Sequence, residues 1–175
     1  MYLINRNNSY HYEMENLIRV FIPDIKILRA ENTAEGEDCC LLSLEGEKIE
    51  IFLSLSGEKY ERQGVFCRDN KVFSESDDSF FERKMAVMLY DLLCEITGYT
   101  PPWGILTGVR PAKLMTKLRS TQGEEKATEY FLNELKVSED KTKLALMVSK
   151  NETPIIEASK PDPYSLYVSV PFCPT

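Results

Sequence analysis

Lys48–Leu55 reads KIEIFLSL. Ile49, Ile51, Leu53 and Leu55 alternate with Lys48, Glu50, Phe52 and Ser54. A period of two kept up over the whole stretch is the pattern of a strand with one buried face. Just upstream, LEGEK at 44–48 leaves room only for a hairpin, so a strand over 39–44 (CCLLSL) must run antiparallel to it. Downstream, 60–66 reads as a further strand, and 25–28 as another before the hairpin. Gly36, Gly46, Gly57 and Gly64 punctuate or end these runs. Cys39 and Cys40 are expected to point to alternate faces, and the charges at the outward positions read as a solvated surface.

A sheet of this kind needs a cover, and two flanking stretches supply one. Over 9–21, Tyr10, Met14, Leu17, Ile18 and Phe21 recur at helical spacing until Pro23 stops them. Residues 2–4 before this helix read as a short edge strand. After an acidic turn at 74–78, the run Ser79-Phe80-Phe81-Glu82 has the pattern of a capping box. Phe81, Met85, Met88, Leu89, Leu92 and Ile96 then form one stripe, with Gly98 placed for a left-handed cap. That stripe reads as core packing, not as a cofactor pocket. The expected fold is α+β: an antiparallel sheet of about four strands covered by amphipathic helices, then a small helical subdomain.

The helical subdomain begins at PPWGILTGVRPAKL, residues 101–114. Pro111 suits the first turn of a helix, which places Arg110 just outside it and Lys113 one turn in. A helix N-terminus with these two cations can attract an anion such as a carboxylate. The same stretch admits a packing reading, in which Trp103 fills a domain junction, Gly104 and Gly108 make turns and Arg110 pairs with an acidic neighbour. Both readings stand at this point. Helices are expected over 111–120, 124–136 and 138–150, with Ser138 as an N-cap, and a short further piece from Thr153–Pro154 to 159. Lys160-Pro161-Asp162-Pro163 reads as a stiff linker. The expected domains are therefore 1–100, 101–160 and 161–175.

Composition narrows the classes of function. A net charge of -7 argues against nucleic-acid binding through a broad basic face. No apolar run approaches bilayer-spanning length, and the N-terminal stretch lacks a signal-peptide layout, so a cytoplasmic protein without a membrane span is expected. Five cysteines with no C-x-x-C spacing fit reduced thiols better than disulfides. A zinc site built within the chain is not expected, because His11 is the only histidine. His11 itself has no histidine or cysteine three or four residues on, and reads as a surface or partly packed residue.

The last stretch, YSLYVSVPFCPT at 164–175, reads as a short strand in which Leu166, Val168 and Val170 alternate with Tyr167 and Ser169. Pro171 ends it, and Cys173 sits between Pro171 and Pro174. Alone, Cys173 would be an ordinary semi-buried thiol. Set in LYVSVPFCPT it resembles the opening of the catalytic domain of radical SAM enzymes. It is most similar to the oxygen-independent coproporphyrinogen dehydrogenases of the HemZ-type branch. The W-G-x-L-T-G-x-R-P signature of that branch's N-terminal region is met at every fixed position of 103–111.

The resemblance implies an α+β N-terminal region leading into the first strand of a radical SAM barrel. In that family a C-x-x-x-C-x-x-C loop holds a [4Fe–4S] cluster with S-adenosylmethionine on its free iron. Cys173 matches the first of the three cysteines; the other two are absent because the chain ends first. Tyr167 matches a tyrosine near S-adenosylmethionine, or else packs on the barrel wall. Ser169 stands where the better-known branch has a histidine, so no role of that histidine carries over. The parent enzyme is expected to be an oxidoreductase that oxidatively decarboxylates coproporphyrinogen III in haem biosynthesis through a 5′-deoxyadenosyl radical. The substrate would be a tetrapyrrole and the electron donor flavodoxin-like. Arg110 and Lys113 would meet substrate propionates. The chain alone is expected to bind neither cofactor and to be catalytically silent, acting by covering the barrel or positioning substrate. The readings from other classes are an interaction module that docks an electron donor or partner subunit, and a structural domain without a ligand.

Overall fold

The computed structural model describes residues 1–32, 36–68, 75–108, 110–158 and Val168. Five strands run in the order β2-β1-β3-β4-β5: β1 Tyr2–Arg6, β2 Leu28–Arg29, β3 Cys39–Glu45, β4 Lys48–Leu55 and β5 Glu58–Val65. The hairpin partners behave as their alternation demands. β3 and β4 are antiparallel with Leu42 opposite Ile51, and β4 and β5 are antiparallel with Leu53 opposite Tyr60.

The sheet is mixed, which corrects the expectation of a four-stranded antiparallel one. β1 is an interior strand, not an edge, and lies parallel to both β2 and β3. Leu3 and Ile4 are both fully buried. A strand covered on both faces reads as a continuous apolar run without alternation, so YLI gave no sign of its place. The strand expected over 25–28 shrinks to the two residues of β2.

Helix α1 (His11–Phe21) crosses from β1 to β2 and buries Met14, Leu17, Ile18 and Phe21. Helix α2 (Asp77–Thr97) packs beside it. Together they cover the face of the sheet that carries Leu3, Leu42, Ile49, Ile51 and Leu53. The cap of α2 is Ser76, whose side chain accepts from the Ser79 amide at 3.1 Å. The capping box expected at Ser79 is thus displaced by one turn, since Ser76 offers the same hydroxyl and Asp77 and Asp78 favour the positive helix end. Gly98 closes α2 in the left-handed conformation, as its position implied.

A second apolar cluster gathers Met115, Leu118, Ala127, Phe131, Leu135 and Val137. It is built by α3 (Pro111–Gln122), α4 (Glu124–Glu129), a π-helical turn at Tyr130–Glu134, and α5 (Glu139–Glu157). The helix expected over 124–136 therefore ends early. The Leu135 amide donates to the Tyr130 carbonyl at 3.1 Å, and this wide turn drives Phe131 into the core. Ser138 caps α5 as expected. The separate helix expected at 153–159 does not form, because α5 runs on through Pro154. Proline removes one ladder bond, but this end of α5 is largely exposed, where the orphaned carbonyl can meet water.

Candidate functional site

Residues 101–117 do two separate things. The first part is a joint. The Tyr90 hydroxyl, carried by α2, donates to the Pro101 carbonyl at 3.1 Å. The Ser138 amide donates to the Pro102 carbonyl at 3.0 Å, and the Ile105 amide to the Leu135 carbonyl at 3.0 Å. Gly104 has φ +59, and a Cβ there would lie 2.0 Å from the Leu135 oxygen. Only glycine lets the two backbones come this close. Trp103 packs on the second cluster with the Lys141 ammonium 5.6 Å from its ring centre.

The second part faces open space. Gly108 has φ +65, but a Cβ there would meet no described atom within 4 Å, so it serves the turn alone. Arg110 is the N-cap of α3 and Pro111 its first residue, as the sequence indicated. The first turn of α3 holds no acidic residue. Arg110, Lys113 and Lys117 line a cavity of about 780 Å³ between the start of α3 and the end of α5. Glu152 supplies one negative charge, and Ile155 and Ile156 an apolar wall. Among the described residues Arg110 makes no ion pair, so the pairing with an acidic neighbour allowed by the packing reading is not seen there.

The relative placing of α3 and α5 rests on a buried knot. Ser149 is fully buried; its Oγ lies 2.8 Å from Thr116 Oγ1 and accepts from Arg119 Nη1 at 2.8 Å. Farther out, Lys150 Nζ meets Glu124 at 2.7 Å. These contacts hold the cationic side of α3 open toward α5. The arrangement suits a ligand with carboxylates and apolar surface: ammonium and guanidinium groups bind the former, and the isoleucines face the latter.

A second cavity, of about 710 Å³, lies on the other side of α3 and shares Lys117 with the first. Glu13 and Glu82 reach it from α1 and α2. Burial raises the Glu82 carboxyl above its usual range, and the charges of Glu13 and Asp78 raise it further. The Tyr10 hydroxyl, which donates to Asp78 at 2.8 Å, is likewise raised, first by burial.

Of the residues singled out in the sequence, Arg110 and Lys113 come together on one cavity, while Tyr167 and Cys173 lie outside the described residues. Lys117 was missed, although it follows Lys113 by one helical turn, the spacing that puts two side chains on one face. Among the described residues no group of three or more histidine, cysteine, aspartate or glutamate side chains could hold a metal ion. The described cysteines do not fit an iron–sulfur cluster either. Cys39 and Cys40 are buried in β3, and burial pushes the Cys40 thiol up to about 12, where no thiolate forms near neutrality.

No family model matches the chain, and no solved structure matches it. It is 28% identical, over an alignment of 181 residues, to the oxygen-independent coproporphyrinogen-III oxidase-like protein HemZ of Bacillus subtilis strain 168. The chain is a distant relative of that protein. The alignment takes in 97% of the chain and 34% of HemZ, so the chain spans about a third of the length of this curated relative. No described helix is long and apolar enough to cross a membrane.

Proposed function

We propose that this chain is the N-terminal accessory region of a radical SAM oxidoreductase akin to the oxygen-independent coproporphyrinogen oxidases. In this reading 1–100 forms the α+β domain, 101–160 the helical extension, and 161–175 the entry to the barrel, with Tyr167 near S-adenosylmethionine and Cys173 as a cluster ligand. Its task is to hold a tetrapyrrole by its carboxylates and to cover the reaction from water, leaving the redox step to the rest of such an enzyme.

The observation that supports this is the convergence of Arg110, Lys113 and Lys117 on a cavity whose other wall presents Ile155 and Ile156 beside a single carboxylate, Glu152. Aliphatic residues suit the faces of a tetrapyrrole, and the cations suit its propionates. The positive end of α3 adds to the same field. The test is a fluorescence titration of the chain with coproporphyrin III, the stable oxidised relative of the proposed substrate. Binding by the parent, weakened about tenfold by Arg110→Ala and again by Lys113→Ala, is expected from the loss of charge-assisted bonds. Equal binding by parent and variants would overturn the reading.

A further inference from the structure

Helix α5 is packed along one side. Thr142, Ala145 and Ser149 are buried there. With about 3.6 residues per turn, Leu144, Met147, Asn151, Ile155 and Ala158 fall on a strip roughly half a turn away, on the opposite side. Leu144, Met147 and Ile155 are 38%, 55% and 72% exposed. A single exposed apolar residue needs no explanation, but a row of them aligned over about four turns is the kind of surface that meets another protein.

The strip suits a helix, and in particular a copy of itself. From Leu144 its members follow at steps of three, four, four and three residues. Such steps make a helix–helix seam, and an asparagine within one is the device that fixes its register. The order of steps is the same from either end, as antiparallel packing of two identical helices requires. Charge points the same way. Lys143 and Glu157 lie on one flank of the strip, near its two ends. A two-fold axis at Asn151 sets that flank against itself, so Lys143 meets Glu157 of the second copy, and the pair occurs twice. Both groups can take this contact. Glu157 makes no ion pair among the described residues, and Lys143 meets Glu139 at 3.5 Å with both side chains more than two-thirds exposed. Lys150, on the same flank near the axis, would approach its own counterpart, but Glu124 at 2.7 Å already compensates its charge.

We propose that this strip of α5 is a self-association surface, on which a second copy of the chain packs its own α5 antiparallel to form a two-fold dimer. Met147 packs against Ile155 and Leu144 against Ala158 of the second copy, and the Lys143–Glu157 pairs close one flank. Ile156 points about 100° away from Ile155 and lines the α3 cavity, which the dimer leaves open. The inference goes beyond the proposed carboxylate site and does not depend on it.

Sedimentation equilibrium of the chain over a range of concentrations gives the dissociation constant of the dimer. Met147→Glu changes an exposed position and is expected to weaken association roughly a hundredfold, because each copy would bury an unpaired charge. Lys143→Glu should weaken it about tenfold by setting like charges together on the flank. Adding Glu157→Lys should restore it to within about threefold of the parent. The two positions lie about 21 Å apart along one helix at ~1.5 Å per residue, so restoration can only report a contact between copies. A chain that stays monomeric at every concentration, as it would if the remainder of a longer polypeptide covered the strip instead, would overturn the proposal. So would a dimer indifferent to Met147→Glu, or a double reversal that associates as weakly as Lys143→Glu alone.

Discussion

Replacing Gly104 by alanine tests whether the tryptophan–glycine half of 101–117 is a packing joint. The substitution acts in two ways. It places an L side chain at φ +59, and it drives a Cβ to 2.0 Å from the Leu135 oxygen and 2.6 Å from the Lys136 oxygen. The left-handed conformation costs roughly 1–2 kcal/mol. The clash is with backbone and cannot be relieved by a side-chain rotation, so the loop must lift away. Lifting it breaks the bond from the Ile105 amide to the Leu135 carbonyl and strains the one from Ser138 to Pro102. Each such loss is worth about 1 kcal/mol, and more where a buried group is left without a partner. The sum is about 3–4 kcal/mol, a large share of the ~5–15 kcal/mol that holds an ordinary domain together.

Gly108→Ala is the control. It carries a similar φ of +65 without a described neighbour in the way, so it should lose only about 1–2 kcal/mol. Urea unfolding followed by circular dichroism gives both values. Trp103, the single tryptophan, reports the joint by its fluorescence and should shift to the red in Gly104→Ala alone. Equal destabilisation by the two substitutions, or an unchanged emission in Gly104→Ala, would refute the close-approach argument.

Other outcomes follow from the same contacts. Ser149→Ala should cost about 1–3 kcal/mol by leaving Thr116 and Arg119 without their shared buried oxygen, and should speed hydrogen exchange in α3 and α5 before the sheet. Tyr90→Phe should cost about 1 kcal/mol through the Pro101 carbonyl, as thermal unfolding would show. Glu82→Gln bears on pH. Because its carboxyl is raised in the folded state, first by burial, the folded form binds that proton more tightly than the unfolded one. The wild type therefore loses stability from this group as pH rises past 4.5 and through the raised value. The glutamine variant should be the more stable at neutral pH, with its advantage fading below pH 4.5. Urea midpoints that run parallel for the two proteins across this range would count against it.

What could be read from the residues was mostly local. β4 was legible from its alternation, the end of α2 from Gly98, and the start of α3 from Pro111, each signal lying within a few residues of its effect. β1 was legible as a strand but not as an interior one, since its place between two parallel partners depends on residues 28 and 39, far along the chain. Ser79 read as the cap of α2, yet the helix begins a turn earlier, at Ser76, whose hydroxyl accepts from the Ser79 amide. Pro154 looked like a start signal, yet an exposed helix end tolerates it. At the candidate site, Arg110 and Lys113 were visible because proline fixes where a helix begins. Glu152 and Ile156 were not, because α5 brings them to α3 from some forty residues downstream, through the buried oxygen of Ser149. Arg83 was hidden for a different reason. A charged residue off the stripe of Phe81, Met85 and Leu89 reads as an exposed position until the acids that satisfy it, Glu75 and Glu134, are seen in space.

The central claim is that the cavity at α3 recognises carboxylates on an apolar frame. Calorimetric titration of the chain with coproporphyrin III beside its tetramethyl ester tests this most directly, since the ester keeps the macrocycle and removes every negative charge. The account predicts binding of the free acid that weakens with salt, and loss of binding by the ester. Equal affinity for the two, or binding of neither, would contradict it.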